Sequence, residues 1–347
     1  MERLLEAAGG AEVWAVIKAN AYGHGAVDAG RAAIGAGASA LCTATLDEAR
    51  VVRAELPDVP LLVLSPLTPG EEAGVAEVGA AVTVGTPEAW TRLRDRHEVD
   101  VHVKVDTGMG RWGLSADDAL RVADEILAGP RPERLAGLMS HLATADEPDR
   151  AFVDLQAERF AAIAERFPPC PRHLANSAGT LRYPELAFDA VRPGLAIHGI
   201  DPLGVSGLDH GLRPAMRWTS QIRSVRTLGP GATTGYGRRY TAERETRVAM
   251  IPIGYADGYP RRLSALGEVL IHGRRCAVAG NVSMDQFAVA LPDDLEAREG
   301  DEVVLLGRHG SAIVSAEELA RHVGTQPYEI VCGVRATLER GFREVLE

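Results

Sequence analysis

Residues 15–25 read AVIKANAYGHG, an apolar run that closes on a lysine and is followed at once by small, polar and glycine residues. Ala15–Ile17 has the composition of a buried strand. Lys18 therefore stands where the chain leaves apolar surroundings. A lysine can reach water from such a place along its long stem. Beside Val16 and Ile17, though, desolvation disfavours the ammonium and leaves a free amine, the form that carries Schiff-base chemistry. Tyr22, Gly23 and Gly25 add a hydroxyl and open backbone N–H groups of the kind that hold a phosphate.

Outward from this stretch the same unit recurs, a short apolar run followed by a helix-like segment. The runs are AEVWAVIK, ASALCTA, VPLLVLS, AAVTVG, VDVHVKVD, LAGLMSH, RHLANS and FDAVRPGLAIHG. Between them lie helical segments such as TLDEARVVRAEL, TPEAWTRLRDRH, SADDALRVADEILA and DRAFVDLQAERFAAIAERF. Eight strands with crossover helices predict an α/β fold, a (β/α)8 TIM barrel over residues 1–205. The runs finish in Lys18, Ser65, Lys104 with Asp106, His141, Asn176 with Ser177, and Arg192. In a barrel these carboxyl ends converge on one face and meet around one pocket. GAGASA at 35–40 is no dinucleotide fingerprint, because its glycines follow a helical run and precede a strand.

Beyond residue 205 helical runs become scarce. MRWTSQIRSVRTL, TRVAMIPIG, EVLIHGRRCAVAG, DQFAVAL and DEVVLLG are short, β-rich and divided by Gly, Pro and Asp turns, which predicts a mostly β domain over 206–347. SAEELARHVG supplies one short helix and YEIVCGV a last strand.

The excess of 48 Asp and Glu over 37 Lys and Arg argues against a nucleic-acid or anionic-membrane surface, so the expected partner is a small molecule. Neither an apolar span of membrane length nor a secretion signal is visible, and the expected setting is the cytoplasm. Cys42, Cys170, Cys276 and Cys332 form no C-x-x-C pair, as befits reduced thiols. HEVDVH at 97–102 spaces its histidines five apart on a strand-like alternation, so no metal site is expected.

AVIKANAYGHG closely resembles the pyridoxal-phosphate attachment motif of the alanine racemase family. Further blocks of that family recur in order: VKVDTGMGRWG (103–113), SHLATADE (140–147), LANSAGT (174–180), VRPGLAIHG (191–199), GYGRRYTA (235–242), IPIGYADGYPRR (251–262) and GNVSMDQ (280–286). The resemblance implies a pyridoxal 5'-phosphate barrel with a β domain, assembled as a homodimer with shared active sites. It implies interconversion of L- and D-alanine, with D-alanine destined for peptidoglycan.

It also implies roles. Lys18 would hold the cofactor as an aldimine and serve as the base on the D-alanine face, while Tyr236 from the other protomer would be the base for L-alanine. Removing a proton from one face of the α carbon and returning one to the other calls for two bases. Tyr22, Ser177, Gly194 and Leu195 would hold the phosphate, the last two through backbone groups. Arg192 would face the pyridine nitrogen and form a chain with His141. Arg111 would take the substrate carboxylate or a cofactor oxygen, with the backbone N–H of Met284 on that carboxylate and Tyr255 at the entrance. Lys104 is a candidate for carbamylation, and Asp257 and Asp285 read as structural.

The match departs in three places. Family members usually begin some twenty residues earlier, with a strand that joins the β domain, so either the start is misassigned or that strand is lacking. A phosphate-binding tyrosine common shortly after YEIVC is Ala336 here, and His198 and Asn281 stand where tyrosine and arginine are more usual. The alternatives are racemisation of serine or another small amino acid, a decarboxylase of the same fold, and a pyridoxal-phosphate carrier with a degenerate site. Arg192 argues against the second, and the β domain against the third.

Overall fold

The computed structural model describes residues 1–204, 210–334 and 342–345. Two compact units divide the chain, Met1–Ile197 and His198–Glu347. The boundary expected after residue 205, and Ala336, lie outside the described residues.

In the first unit eight parallel strands close into the expected barrel. They are β1 (Glu12–Val16), β2 (Ala40–Thr43), β3 (Leu61–Val63), β4 (Ala81–Val84), β5 (Val101–Lys104), β6 (Leu135–Met139), β7 (Arg172–His173) and β8 (Ala190–Val191). Closure comes from parallel pairing of Glu12 and Val13 with Ala190 and Val191. The strands are shorter than the apolar runs because the polar residues ending those runs leave the ladder and bond across to neighbouring carbonyls. Ser140, for example, donates to Val105 O at 2.9 Å.

The helices begin where their caps dictate: Thr45, Thr86 and Ser115 accept the N–H of Glu48, Ala89 and Asp118 through their hydroxyls. In Ala116–Leu127 the buried positions Ala119, Val122, Ala123 and Ile126 follow the helical period and form one stripe. On the strands Val13, Leu41, Val82, Val101, Val103, Leu138 and Val191 are fully buried. Burying a side chain of that size stabilises by about 1.5–3 kcal/mol. Within the barrel, Trp14 of β1 meets His102 of β5 and His173 of β7, with ring centroids 5.4 and 4.5 Å away. Side chains from alternate strands are what one interior layer of such a barrel holds.

The second unit is antiparallel. Its strands are β9 (Met216–Gln221), β10 (Ser224–Leu228), β11 (Thr233–Thr234), β12 (Tyr240–Thr241), β13 (Thr246–Ile251), β14 (Glu268–Ile271), β15 (Arg274–Ala277), β16 (Phe287–Ala290), β17 (Glu302–His309), β18 (Ala312–Val314) and β19 (Phe342–Val345). The main sheet runs β15-β14-β17-β9-β19 with β18 on β17, beside a β10-β13-β16 sheet and a β11-β12 ribbon. Tyr259 stacks on Phe287 at 4.7 Å in its core.

YEIVCGV is not a strand. It lies in a helix, Pro327–Gly333, whose buried residues Pro327, Ile330 and Val331 recur at helical spacing. Pro327 sits in the first turn, where its fixed φ favours helix and its missing N–H costs nothing. Among the described residues no helix is long and apolar enough to cross a membrane.

Candidate active site

Lys18 directly follows β1, and the four residues after it wind the wrong way. Ala19, Asn20, Ala21 and Tyr22 have φ of 52, 53, 52 and 54°. Left-handed backbone costs an L-residue other than glycine about 1–2 kcal/mol at each position, so the surroundings must impose it. The Glu48 carboxylate accepts the N–H of Ala19 and that of Ala44, each at 2.7 Å. Asn20 Oδ1 accepts the N–H of Ala26 at 2.9 Å. Ile17 is tied to β2 by its N–H to Cys42 O at 2.8 Å, and Val16 donates to Pro193 O at 2.9 Å.

Tyr22 is thereby turned inward, 7% exposed, against the loop after β8. A Cβ placed on Gly194 would lie 2.2 Å from the Tyr22 hydroxyl oxygen, so only glycine lets the backbone pass there. Ser177 Oγ accepts the N–H of Gly194 at 2.8 Å and of Ala196 at 3.3 Å. The two hydroxyls and the 194–196 backbone thus gather in one place.

Arg192 is buried at the end of β8. It donates to Ser140 O at 2.6 Å, to Leu174 O at 3.3 Å and to His173 Nδ1. Since Arg192 only donates, His173 Nδ1 accepts. Its Nε2 then carries the proton and donates to His102 Nδ1, 2.9 Å away. Burial first, and the Arg192 charge second, pull His102 down to about 3. The same two causes, with His102 added, hold His173 well below its usual range. Burial lowers Arg192 itself only to about 10, so it stays charged at neutrality.

Lys104, at the end of β5, is 4% exposed. Its Nζ lies 4.8 Å from the Trp112 ring centre, and the Arg111 guanidinium lies 4.5 Å from the same ring. Burial, then Arg111 and Arg192, bring the Lys104 amine down to about 7. His141, partly buried after β6, is held well below its usual range by burial and then by Arg192, Lys104, Arg111 and Lys18. Gln156 steadies its backbone by donating to His141 O at 3.0 Å and to Thr107 Oγ1 at 3.1 Å.

In the second unit Tyr236, Met284 and Tyr255 are 77%, 59% and 43% exposed. Asn281 Nδ2 donates to Tyr236 O at 2.7 Å, and the N–H groups of Tyr255 and Ala256 reach Ser283 O and Met284 O at 3.1 and 2.9 Å. Those bonds gather the three side chains onto one loop cluster. Asp257 Oδ2 caps Gly254 N at 2.8 Å, the work of a structural residue. A cavity of about 800 Å³ in this unit, bordered by Met216, Leu306, Val314 and Arg321, includes none of the residues named from the sequence. Side-chain chemistry, not cavity size, therefore marks the candidate site.

The donor set fits pyridoxal phosphate. The Tyr22 and Ser177 hydroxyls meet at the Gly194 backbone, where a Cβ would leave no room, and the amine of Lys18 directly follows β1. Hydroxyls and close backbone suit a phosphate, and an amine suits an aldehyde. Sequence reasoning missed Glu48, His102, His173 and Gln156. The alternation of β5, Val101–Lys104, was the available signal for His102; the two residues of β7 offered none for His173.

The family model described as "Alanine racemase, N-terminal domain" matches residues 1–202, and "Alanine racemase, C-terminal domain" matches residues 215–342. An alanine racemase of Symbiobacterium thermophilum is 44% identical over 336 residues, covering 94% of this chain and 89% of that one. The enzyme of that name from Mycobacterium tuberculosis is 40% identical over 98% of this chain and 92% of its own. The crystal structure of alanine racemase from D-cycloserine-producing Streptomyces lavendulae superposes with a TM-score of 0.91 at 37% identity, covering 97% of this chain and 91% of that one.

Proposed function

The chain belongs to the alanine racemase family of isomerases, and on that premise we propose that it interconverts L-alanine and D-alanine by a two-base mechanism with pyridoxal 5'-phosphate at the barrel mouth. The observation that carries the reading is the cradle beside Lys18, where the left-handed turn after β1 sets the Tyr22 hydroxyl against the Gly194 backbone, whose N–H Ser177 Oγ accepts at 2.8 Å. Pyridoxal phosphate, when bound, supplies the electron sink that acidifies the substrate Cα–H.

Lys18 would hold the cofactor covalently. The hydroxyls of Tyr22 and Ser177 and the backbone of Gly194 and Leu195 would hold its phosphate. Arg192 would face the pyridine nitrogen. A guanidinium does not give up its proton at accessible pH, so Arg192 there would leave that nitrogen unprotonated and would restrain side reactions. Arg111 would orient the carboxylate, and Lys18 Nζ would take or return the α proton on the D-alanine face.

The opposite face needs a base from a second protomer of a homodimer, the partner subunit's Tyr236. The high exposure of Tyr236 in the single chain supports this. The partner subunit's Met284 would add its backbone N–H to the carboxylate, and the partner subunit's Tyr255 would narrow the entrance to small side chains. The four free cysteines support a cytoplasmic setting, where D-alanine would supply peptidoglycan. In D2O the purified protein with its cofactor is expected to exchange the α proton of both alanine enantiomers, followed by NMR. Cofactor-loaded protein that exchanges neither, or that exchanges serine faster, would defeat the assignment to alanine.

Lys104 is well placed for carbamylation, since carbon dioxide adds to a neutral amine. Its pKa, lowered to about 7, means that neutral amine accumulates as pH rises through 7. Carbamate occupancy should rise over the same range and fall on acidification. Protein in 13C-bicarbonate should show one carbamate resonance with that pH dependence, absent from Lys104→Ala. A resonance that persists in Lys104→Ala would place the group elsewhere.

A further inference from the structure

We infer that Glu48 is a positioning residue for Lys18, an inference that rests on the function proposed above. Lys18 stands at the junction between a barrel strand and a left-handed turn, with Ala19, Asn20, Ala21 and Tyr22 all at positive φ. The N–H of Ala19, first in that turn, goes to Glu48 Oε1, and that of Ala44 goes to Glu48 Oε2. One carboxylate therefore staples the residue after Lys18 to the loop after β2.

The staple is itself anchored. Glu48 lies in the first turn of the helix Leu46–Glu55, and its own N–H is held by the Thr45 hydroxyl at 3.2 Å. Two acceptor oxygens facing two backbone donors are what a carboxylate provides and a carboxamide does not. In Glu48→Gln the –NH2 group would confront one of the two N–H groups. The freed turn would relax toward right-handed backbone and carry with it both Lys18 and the inward-facing Tyr22 hydroxyl.

The test compares wild type, Glu48→Gln and the double variant Glu48→Gln/Ala19→Gly, all as holoenzyme. Three readouts are used: the rate at which bound cofactor is lost on dilution, the fraction of Lys18 labelled by borohydride reduction and peptide mass spectrometry, and the thermal midpoint. Loss of one charge-assisted hydrogen bond should speed cofactor release about tenfold and lower Lys18 labelling in Glu48→Gln. Glycine accepts positive φ without penalty, so Ala19→Gly in that background should restore release to within about threefold of wild type.

Wild-type release and labelling in Glu48→Gln would overturn the proposal. So would a lowered thermal midpoint that Ala19→Gly leaves unrescued together with cofactor loss, because that is the mark of a general structural role. Wild-type protein that carries no label on Lys18 would overturn both this inference and the proposed function. Labelled wild type beside an indifferent Glu48→Gln would remove this inference alone.

Discussion

Lys18→Ala is expected to lose alanine racemisation in both directions by roughly 10⁴-fold or more, and to lose covalent cofactor attachment with it. The size follows from two duties resting on one amine. Lys18 is proposed both to hold the cofactor and to move the α proton on one face, and no second lysine can stand in. The other lysine, Lys104, lies against the Trp112 ring at the end of β5, whereas Lys18 follows β1. The fold should survive, because Lys18 only follows β1 and the ladder to β2 and β8 is made by residues before it. Circular dichroism and the thermal midpoint check that. A variant that folds, binds cofactor non-covalently and retains more than a few per cent of wild-type exchange would remove Lys18 from the mechanism.

Tyr236→Phe should cost about 10²–10⁴-fold, and unevenly: α-proton exchange from L-alanine should fall further than exchange from D-alanine. Phenylalanine keeps the ring and removes only the hydroxyl proposed to carry the proton, so the loss would report chemistry rather than packing. The main-chain bond from Asn281 to Tyr236 O does not depend on the phenol. Mixing gives a sharper result. Lys18→Ala and Tyr236→Phe protomers, each strongly impaired alone, should regain roughly a quarter of wild-type activity after random reassociation, since in the proposed homodimer half the dimers would be mixed and each would hold one intact site. No recovery, in preparations shown to exchange subunits, would mean that the tyrosine and the lysine of a site come from the same chain.

Much of this architecture was legible because apolar runs and helical spacers alternate at barrel spacing, and because Lys18, Lys104, His141 and Arg192 interrupt those runs at the same end. The turn after Lys18 was hidden. Alanine carries no signature of positive φ, which is uncommon for any residue but glycine, and the conformation of Ala19–Tyr22 is imposed by partners remote in sequence. Glu48 looked like an ordinary acid in the first turn of a helix. His102 lies between Val101 and Val103 and His173 between Arg172 and Leu174, so neither announces an interior position; closure of the barrel turns both inward against Trp14. Pro327–Gly333 was misread because Ile330 and Val331 favour strands locally, while packing on the helix Ala316–Val323 rewards the helical period instead.

The Trp14–His102–His173 layer also decides how the barrel meets acid. Both imidazoles are buried, neutral and held below the ordinary histidine range, whereas in a denatured chain each would bind a proton near pH 6.5. Denaturation below that pH therefore takes up protons that the native molecule refuses. Each imidazole shifts the folding equilibrium toward the denatured chain by about tenfold for every further pH unit, until its native value is reached. Above pH 6.5 the two histidines cost nothing, and mild acidity loosens the scaffold from within while its arginine stays charged.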